Sequence, residues 1–218
     1  MSWRATLAAV VVSATAACAA GTSPSLSDDE TRRVDRGETV VLQRGAEGFA
    51  WPEIVTYRRT TASPAAIMAV YADFAAQSSW VPDLVESRVV TRESGNVFRV
   101  FYEYEVPGPN EKYTVLVTVT RDREGWQARW RLVSARYARY LRGSLRVIPR
   151  GDGSLVVYTS AVDPGTIGAT FGSPKTVATK LVATTEALVA RAERFTTADP
   201  QRLTSLVEAL RAIVTPSP

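Results

Sequence analysis

Residues 173–195 carry apolar side chains at helical spacing. Ser173 suits the N-cap of a helix, and Pro174 suits the first helical position, where its missing N–H costs nothing. The apolar stripe consists of Val177, Leu181, Thr184, Leu188, Ala192 and Phe195. This spacing predicts one long amphipathic helix, which must bury its apolar face against another layer of structure.

Most of the chain before this helix alternates between apolar and polar residues, a period of two that indicates β-strands. Strands are predicted at residues 54–60, 85–92, 97–106, 113–121, 126–134, 140–149 and 155–163, and further helices at residues 64–77 and 200–214. Short strands separated by turn residues are typical of an antiparallel sheet. The predicted fold class is therefore α+β: a curved antiparallel β-sheet closed around a long C-terminal α-helix, with an extra short C-terminal helix.

The alternation also separates the two faces of the predicted sheet. In residues 126–134, for example, Trp130 and Leu132 lie on one side, and Arg129 and Arg131 lie on the other. One face is therefore apolar and aromatic, and the other is polar and basic. The long helix is expected to cover the apolar face.

The composition is that of a globular protein, with 45% hydrophobic and 22% charged residues. The net charge of +4 fits weak attraction to anionic surfaces but does not by itself indicate nucleic acid. Since there is no histidine, the commonest general base, the usual catalytic triads and most zinc or iron sites are excluded. A single cysteine excludes intrachain disulfides and cysteine metal clusters. We therefore expect neither a metal nor a cofactor.

Residues 1–20 have the pattern of an export signal: Arg4 is followed by an apolar run that is too short for a permanent membrane anchor. Residues 15–18 resemble a bacterial lipobox, in which Cys18 would become the lipidated first residue of the mature protein. The other interpretation is cleavage near Ala19 or Ala20, with loss of Cys18. Both predict export: to the cell envelope or periplasm with a lipid anchor on Cys18, or otherwise as a secreted protein.

Residues 21–46 are polar and rich in turn formers. They are predicted to be a flexible tether, or a tether leading into a short edge strand at residues 39–44. The folded domain is assigned to residues 47–197. Residues 198–218 are assigned to the C-terminal amphipathic helix and a tail.

The order of these elements resembles the START-like helix-grip superfamily, in the branch grouped with polyketide cyclases and coenzyme Q-binding proteins. Three stretches carry the resemblance: residues 62–82 with their Ser-Pro helix start and Trp-Val-Pro link, residues 140–145 with a glycine in a strand, and residues 158–165 before the long helix. The resemblance covers residues 50–195. Where many relatives have tryptophan two residues after the strand glycine, this chain has Leu145.

The resemblance implies a cavity between the sheet and the long helix that accepts a hydrophobic small molecule: a lipid, a quinone or a polyketide-like ring. Aromatic side chains under an apolar helix fit such a pocket, although each could equally fill the core. The predicted lining residues are Tyr102, Tyr104, Val115, Val117, Trp130, Leu132, Leu145, Val177, Leu181 and Leu188. Gly165, Gly168 and Gly172 are predicted to form a loop that either gates this cavity or only permits a turn.

The candidates for catalysis and for surface contacts are few. Glu103 and Glu105 share a strand face, but it is the solvent face, so acid–base catalysis is not expected. The basic face carries Arg129, Arg131, Arg142 and Arg146 on neighbouring strands, where like charges are mildly unfavourable. Anionic lipid headgroups at a membrane surface, or simple solvation, explain them equally well. Nucleic acid is not expected as a partner of an exported protein.

The leading functional prediction is non-catalytic binding or carriage of a hydrophobic small molecule by an exported, membrane-anchored domain. One alternative is an enzyme of the polyketide cyclase or dehydrase kind, in which tyrosine or arginine side chains would steer protons. The other is an envelope protein-interaction module with its cavity filled by side chains.

Overall fold

A computed structural model describes residues 25–106 and 108–214. Within these residues the helices are α1 (Asp28–Asp35), α2 (Pro64–Ala72), α3 (Gly165–Phe171), α4 (Pro174–Ala198) and α5 (Pro200–Val214), and a 3₁₀ helix covers Phe74–Ser79. The strands are β1 (Val40–Arg44), β2 (Glu53–Thr60), β3 (Leu84–Ser94), β4 (Val97–Tyr104), β5 (Glu111–Arg121), β6 (Trp126–Ala135), β7 (Tyr140–Arg150) and β8 (Gly153–Asp163).

The eight strands form one sheet in the order β1-β2-β8-β7-β6-β5-β4-β3, and every neighbouring pair is antiparallel. Strands β3 to β8 form a meander in which consecutive strands are neighbours. The last of them, β8, pairs with β2, which lies earlier in the chain. The predicted fold class is confirmed: the antiparallel sheet packs against the long C-terminal helix, and the extra C-terminal helix α5 follows it.

Helix α4 starts as its sequence predicts and ends three residues later than predicted. The Ser173 side chain accepts a hydrogen bond from the Thr176 backbone N–H and so caps the first turn. The buried face of α4 consists of Leu181, Thr185, Leu188, Val189, Ala192 and Phe195. The C-terminal half of this face packs into the main core with residues of α2 and with Leu210 of α5.

The segment predicted to be a tether is partly folded onto the domain: residues 28–35 form a helix, which corrects the prediction of a flexible tether there. Helix α1 begins with a capping box between Ser27 and Glu30, and its Val34 is fully buried. Strand β1 pairs with β2, in agreement with the predicted edge strand at residues 39–44. Together they cover the outer face of the sheet with a small second core: Val34, Val40, Val55, Tyr57, Leu155 and Val157. Residues 21–24 lie outside the described residues.

The glycine-rich stretch predicted to be a loop is a short helix, α3. Its start is fixed by Asp163, whose side chain accepts a hydrogen bond from the Gly165 backbone N–H at 2.9 Å. Gly165 has a φ of +66°, and a side chain there would press on the Tyr137 carbonyl oxygen. The three glycines therefore allow close packing of the α3 region, although whether α3 gates the cavity stays a prediction.

The predicted export signal and Cys18 lie outside the described residues. In the part of the chain that the structure covers, no helix combines the length and apolarity that crossing a bilayer requires.

Candidate ligand-binding cavity

A cavity of about 440 Å³ lies between the inner face of the sheet and the N-terminal half of α4. This volume is within the range of ~300–1,000 Å³ that is usual for sites holding one drug-sized molecule. Strands β4 to β8 form its floor, and the link that contains Trp80, Val81 and Pro82 forms one side. Pro164, Gly168 and Gly172 bring the α3 region to its rim.

Five tyrosines and one tryptophan form an aromatic cluster in the cavity wall: Tyr71, Tyr102, Tyr104, Tyr113, Tyr158 and Trp130. The rings of Tyr104 and Tyr113 are stacked, with centroids 5.8 Å apart and an interplanar angle of 11°. Trp130 lies 5.2 Å from Tyr158 and 6.1 Å from Tyr71, both in tilted arrangements. Such contacts fix the rings in place, so the wall is already formed without a ligand.

Gly143 makes room for the largest of these rings. It lies opposite Trp130 in the pairing of β6 with β7. A Cβ atom at this position would overlap both the Trp130 ring and the Thr159 carbonyl oxygen. The strand glycine on which the resemblance partly rested therefore lets an indole ring lie flat across β7, which sets the shape of the cavity floor.

The tyrosine hydroxyl groups are neutral at physiological pH. Burial raises the pKa of Tyr104 to about 12 and raises the pKa values of Tyr71, Tyr102, Tyr113 and Tyr158 well above the usual value for a phenol. A hydrogen bond with the Gln77 side chain partly offsets this rise in the pKa of Tyr102. The same side chain donates a hydrogen bond to the Tyr71 backbone oxygen at 2.7 Å. The wall therefore offers phenol O–H groups as hydrogen-bond partners without carrying charge.

The two charged residues in the lining, Lys180 and Glu111, are both occupied by protein partners. Lys180 Nζ lies 3.0 Å from an Asp83 carboxylate oxygen and donates to the Glu105 carbonyl oxygen at 3.3 Å. Glu111 accepts a hydrogen bond from the Tyr137 backbone N–H at 3.2 Å. Lys180 and Asp83 thus form an ion pair between α4 and the link before β3.

Trp80 is a lining residue with an unusual feature. Its indole Nε1 is buried and has no hydrogen-bond partner among the described residues. Buried indole N–H groups normally find an acceptor, because an unpaired buried donor loses the hydrogen bonds it would make with water.

Six of the ten predicted lining residues do lie on the cavity: Tyr102, Tyr104, Val115, Trp130, Val177 and Leu181. Val117, Leu145 and Leu188 do not, because they are fully buried in the packed core. Leu132, which is half-buried, is not among the lining residues either. The sequence pattern chose the correct face of the sheet but not the position along each strand.

Sequence reasoning missed several lining residues, among them Tyr71, Trp80, Tyr113 and Tyr158. Tyr113 alternates in phase with Val115, and this signal could have identified it. Tyr158 could not be assigned to a face, because β8 is apolar on both sides.

Of the glycines predicted to gate the cavity, Gly168 and Gly172 line it and Gly165 does not. A Cβ atom on Gly168 would lie 2.9 Å from Pro164 Cβ, and one on Gly172 would lie 3.2 Å from the Trp51 ring. Both glycines therefore allow tight packing at the cavity rim.

The predicted basic residues lie on the outer face of the sheet, away from the cavity. Arg131 is directly opposite Arg142 in the pairing of β6 with β7, and Arg129 is opposite Ser144. Arg142 also lies over the Phe49 ring. Arg146 forms an ion pair with Glu124, so its charge is offset locally.

The described residues contain no cluster of histidine, cysteine, aspartate or glutamate suited to a metal ion. Glu103 accepts a hydrogen bond from Asn110 and pairs with Lys112 at 3.1 Å, which lowers its pKa. It is thus held as a carboxylate outside the cavity lining. The site can enclose an apolar molecule and offer it neutral hydrogen-bonding groups.

Solved structures share this fold at low sequence identity. A STAR-related lipid transfer protein fragment from Xanthomonas axonopodis is 20% identical, with a TM-score of 0.61, and the match covers 71% of this chain and 98% of that one. Human STARD10 is 15% identical, with a TM-score of 0.60 and coverages of 89% and 91%. The ZhuI aromatase/cyclase from Streptomyces sp. R1128 is 17% identical, with a TM-score of 0.55 and coverages of 67% and 96%.

No curated protein matches the chain. The sequence model of the family described as polyketide cyclase / dehydrase and lipid transport matches residues 53–193, which is most of the chain and includes nearly all of the cavity. Because that match agrees with the helix-grip architecture and the cavity, this chain belongs to the polyketide cyclase/dehydrase and lipid transport family of the START-like superfamily.

Proposed function

We propose that this domain binds and carries a hydrophobic small molecule in the cavity under α4 and does not transform it chemically. One observation carries the proposal: about 440 Å³ of space lies against a preformed cluster of neutral aromatic side chains. The candidate ligands are lipids, quinones and polyketide-like rings. The relatives whose names refer to lipid transfer support carriage of an apolar molecule.

The alternative of a cyclase-like enzyme is supported by the likeness to the ZhuI aromatase/cyclase and by the tyrosine hydroxyl groups in the cavity. Against it, burial raises the pKa values of the cavity tyrosines further above the working pH, and Lys180 is held in an ion pair with Asp83. General acid–base catalysis requires a group that can gain or lose a proton near the working pH. The alternative of a filled cavity disagrees with the open volume.

The proposal also places the domain outside the cytoplasm, held at a membrane by lipid on Cys18. It rests on the export signal in residues 1–20 and on the lipobox-like sequence at residues 15–18. Radiolabelled palmitate incorporation tests it: the wild-type chain is expected to take up label in a bacterial host, and Cys18→Ala is expected to take up none. An unlabelled wild-type chain would favour the secreted form.

The proposed membrane partner is an anionic surface. Arg131 and Arg142 face each other on the outer face, and Tyr140, two residues before Arg142 in the same strand, is an exposed apolar side chain (44% exposed). Basic and apolar side chains side by side are typical of contacts with anionic bilayers. Flotation with phosphatidylglycerol vesicles should weaken with salt and in Arg131→Glu/Arg142→Glu. Flotation unchanged by either would exclude this partner.

Native mass spectrometry of the purified full chain tests ligand carriage. The wild-type protein is expected to retain an apolar molecule that solvent extraction releases. Val177 lines the cavity from the half-buried part of α4, so Val177→Trp is expected to fill the space and to abolish retention. Thr179→Trp is the matched control, because Thr179 lies on the exposed side of the same helix.

Two results would overturn carriage. One is an empty wild-type protein that also fails to take up lipids, quinones and polyketide-like rings added to it. The other is equal retention in the wild-type protein and in Val177→Trp, because the molecule would then lie elsewhere. Conversion of an added polyketide-like chain to a cyclised product would favour the enzyme.

A further inference from the structure

Three arginine side chains surround one phenylalanine ring where α4 meets α5. The guanidinium carbon atoms of Arg191, Arg194 and Arg202 lie 5.0, 5.7 and 5.3 Å from the centroid of the Phe195 ring. None of these residues lines the cavity, and all but Arg191 lie beyond residue 193, where the family match ends. Ligand carriage in the cavity therefore does not explain this arginine cluster.

The sequence builds the arginine cluster from two helices. On α4, Arg191 and Phe195 are four residues apart and so lie on the same side of the helix. Helix α5 begins at Pro200, and the Asp199 side chain accepts a hydrogen bond from the Arg202 backbone N–H at 3.2 Å, which fixes the first turn. Phe195 is only 6% exposed, so its ring is a fixed support for the guanidinium groups.

The protein balances only part of the positive charge in the arginine cluster. Arg202 lies 3.8 Å from an Asp73 carboxylate oxygen. Arg191 and Arg194 have no ion pair and no side-chain hydrogen bond among the described residues. The carboxylate between them in sequence, Glu193, is engaged by a threonine hydroxyl of β2 at 2.7 Å. Two guanidinium groups are thus left with free N–H donors.

The like charges in the arginine cluster are close enough to act on one another. The pKa of Arg191 is lowered, first by burial and then by the positive charges of Arg194 and Arg202. An anion held between these side chains would offset this repulsion and accept the free N–H groups.

The chemistry of the guanidinium group indicates which anion fits. Each guanidinium presents a planar fork of N–H donors that matches the oxygen atoms of carboxylate and phosphate groups. A carboxylate has two oxygen atoms in one plane and a single negative charge. Because two positive charges are unpaired and the forks come from two helices, a tetrahedral group with up to two negative charges matches the cluster better.

We propose that Arg191, Arg194 and Arg202 form a binding site for a phosphate group at the surface between α4 and α5. The phosphate group belongs to a soluble phosphate ester or to a lipid headgroup, because both present the same oxygen atoms. The site is separate from the cavity, so it does not depend on ligand carriage.

NMR titration of the full chain tests the proposal, with inorganic phosphate as the probe and acetate at equal ionic strength as the comparison. The side-chain Nε–H signals of Arg191, Arg194 and Arg202 are expected to shift together with phosphate and to saturate, and to shift much less with acetate. Arg191→Gln/Arg194→Gln should weaken phosphate binding at least about tenfold, the loss expected when hydrogen bonds to a charged group are removed. Arg129→Gln/Arg131→Gln is the matched control, because it removes the same charge from exposed positions of β6.

Two further probes distinguish the sources of the phosphate group. Glycerol 3-phosphate carries the group without acyl chains, and phosphatidylcholine vesicles containing phosphatidic acid carry it as a lipid headgroup. Flotation with these vesicles that is weaker in Arg191→Gln/Arg194→Gln than in the wild-type protein would assign the site to a headgroup. Glycerol 3-phosphate binding at the arginine cluster, with flotation unchanged in that variant, would assign it to a soluble ester.

Three results would overturn the proposal. The first is a wild-type titration in which phosphate leaves the three Nε–H signals unchanged, and this result does not depend on any variant folding. The second is equally tight phosphate binding by the wild-type protein and by Arg191→Gln/Arg194→Gln. The third is acetate binding as tight as phosphate binding, which would contradict the choice of a phosphate group.

Discussion

The two halves of helix α4 have different surroundings although they belong to one continuous helix. In the C-terminal half, Leu188, Val189, Ala192 and Phe195 are buried in the main core against α2 and α5. In the N-terminal half, Val177 and Leu181 face open space.

Thr185 stands between the two halves and joins them to the sheet. Its hydroxyl group donates to the Leu181 carbonyl oxygen and lies 2.8 Å from the Thr56 hydroxyl of β2. The difference shows how the fold separates its tasks: the packed half of α4 stabilises the domain, which leaves the other half free to cover a cavity.

The largest test of this comparison is one substitution made in both halves. Leu188 is 0% exposed within the core, whereas Leu181 is 7% exposed and already borders the cavity. Leu188→Ala should reduce the free energy of unfolding by about 2–5 kcal/mol, because it creates a new void in packed surroundings. Leu181→Ala should cost less than about 2 kcal/mol, because it only enlarges an existing space. Urea denaturation measures both.

Equal losses in the two leucine variants would contradict the division of α4 into a packed half and an open half. Circular dichroism at 222 nm is the control, because both variants must retain the helix for the comparison to apply.

The second test concerns the cavity floor. Gly143→Ala places a Cβ atom against the Trp130 ring and the Thr159 carbonyl oxygen. We expect a loss of about 1–3 kcal/mol in the free energy of unfolding and a changed near-ultraviolet circular dichroism signal as Trp130 moves. Gly45→Ala is the matched control, because nothing lies within 4 Å of its added Cβ atom. A variant with wild-type stability would contradict this expectation, because it would show that the Trp130 ring and the Thr159 carbonyl group can move aside at little cost in free energy.

The third test uses pH to examine the aromatic wall of the open half. Burial raises the pKa of Tyr104 to about 12, so the folded protein keeps this proton at pH values where the unfolded chain loses it. The contribution to stability is therefore fully present below pH 10 and is lost as the pH rises toward 12. At pH 11 about 1.4 kcal/mol of this contribution has been lost, which is the value for one pKa unit.

Urea denaturation between pH 8 and pH 11.5 checks this prediction. The stability of Tyr104→Phe should fall less steeply above pH 10 than that of the wild-type protein. Parallel curves would mean that the Tyr104 hydroxyl is reached by water in the folded state.

The smallest effect on stability is expected at the ion pair between Lys180 and Asp83. These side chains are partly exposed, so Lys180→Met should change the free energy of unfolding by less than about 1 kcal/mol. Because the pair joins the open half of α4 to the link at one side of the cavity, we expect faster release of a bound quinone probe in stopped-flow measurements. Release at the wild-type rate would show that this pair does not restrain the cavity.

The order of strands and helices could be predicted because it depends on local patterns. Alternation in β4 to β7 and the 3.6-residue period of α4 are each read from neighbouring residues. The pattern was less informative where both faces of a strand are buried. In β8 neither face is polar, because α4 covers one side and the added core around Val34 covers the other.

Helix α1 was difficult to predict for the opposite reason, because its sequence has almost no apolar pattern. It is polar along most of its length, and Val34 is its one buried residue. The capping box at Ser27 and Glu30 was a signal in the sequence, but a short polar helix is stable here because Val34 packs with Leu155 and Val157 of a distant strand.

The sequence by itself determined the sheet, the long helix, the family resemblance and the correct face for the cavity, since these follow from the spacing of residues close together in the chain. Only the tertiary structure decided where the core ends and the cavity begins. Leu145 and Tyr104 have the same kind of pattern, yet one is packed and the other lines open space. The overlap that Gly143 avoids and the unmet N–H of Trp80 also depend on distant residues, because volume and hydrogen-bond partners are properties of the assembled fold.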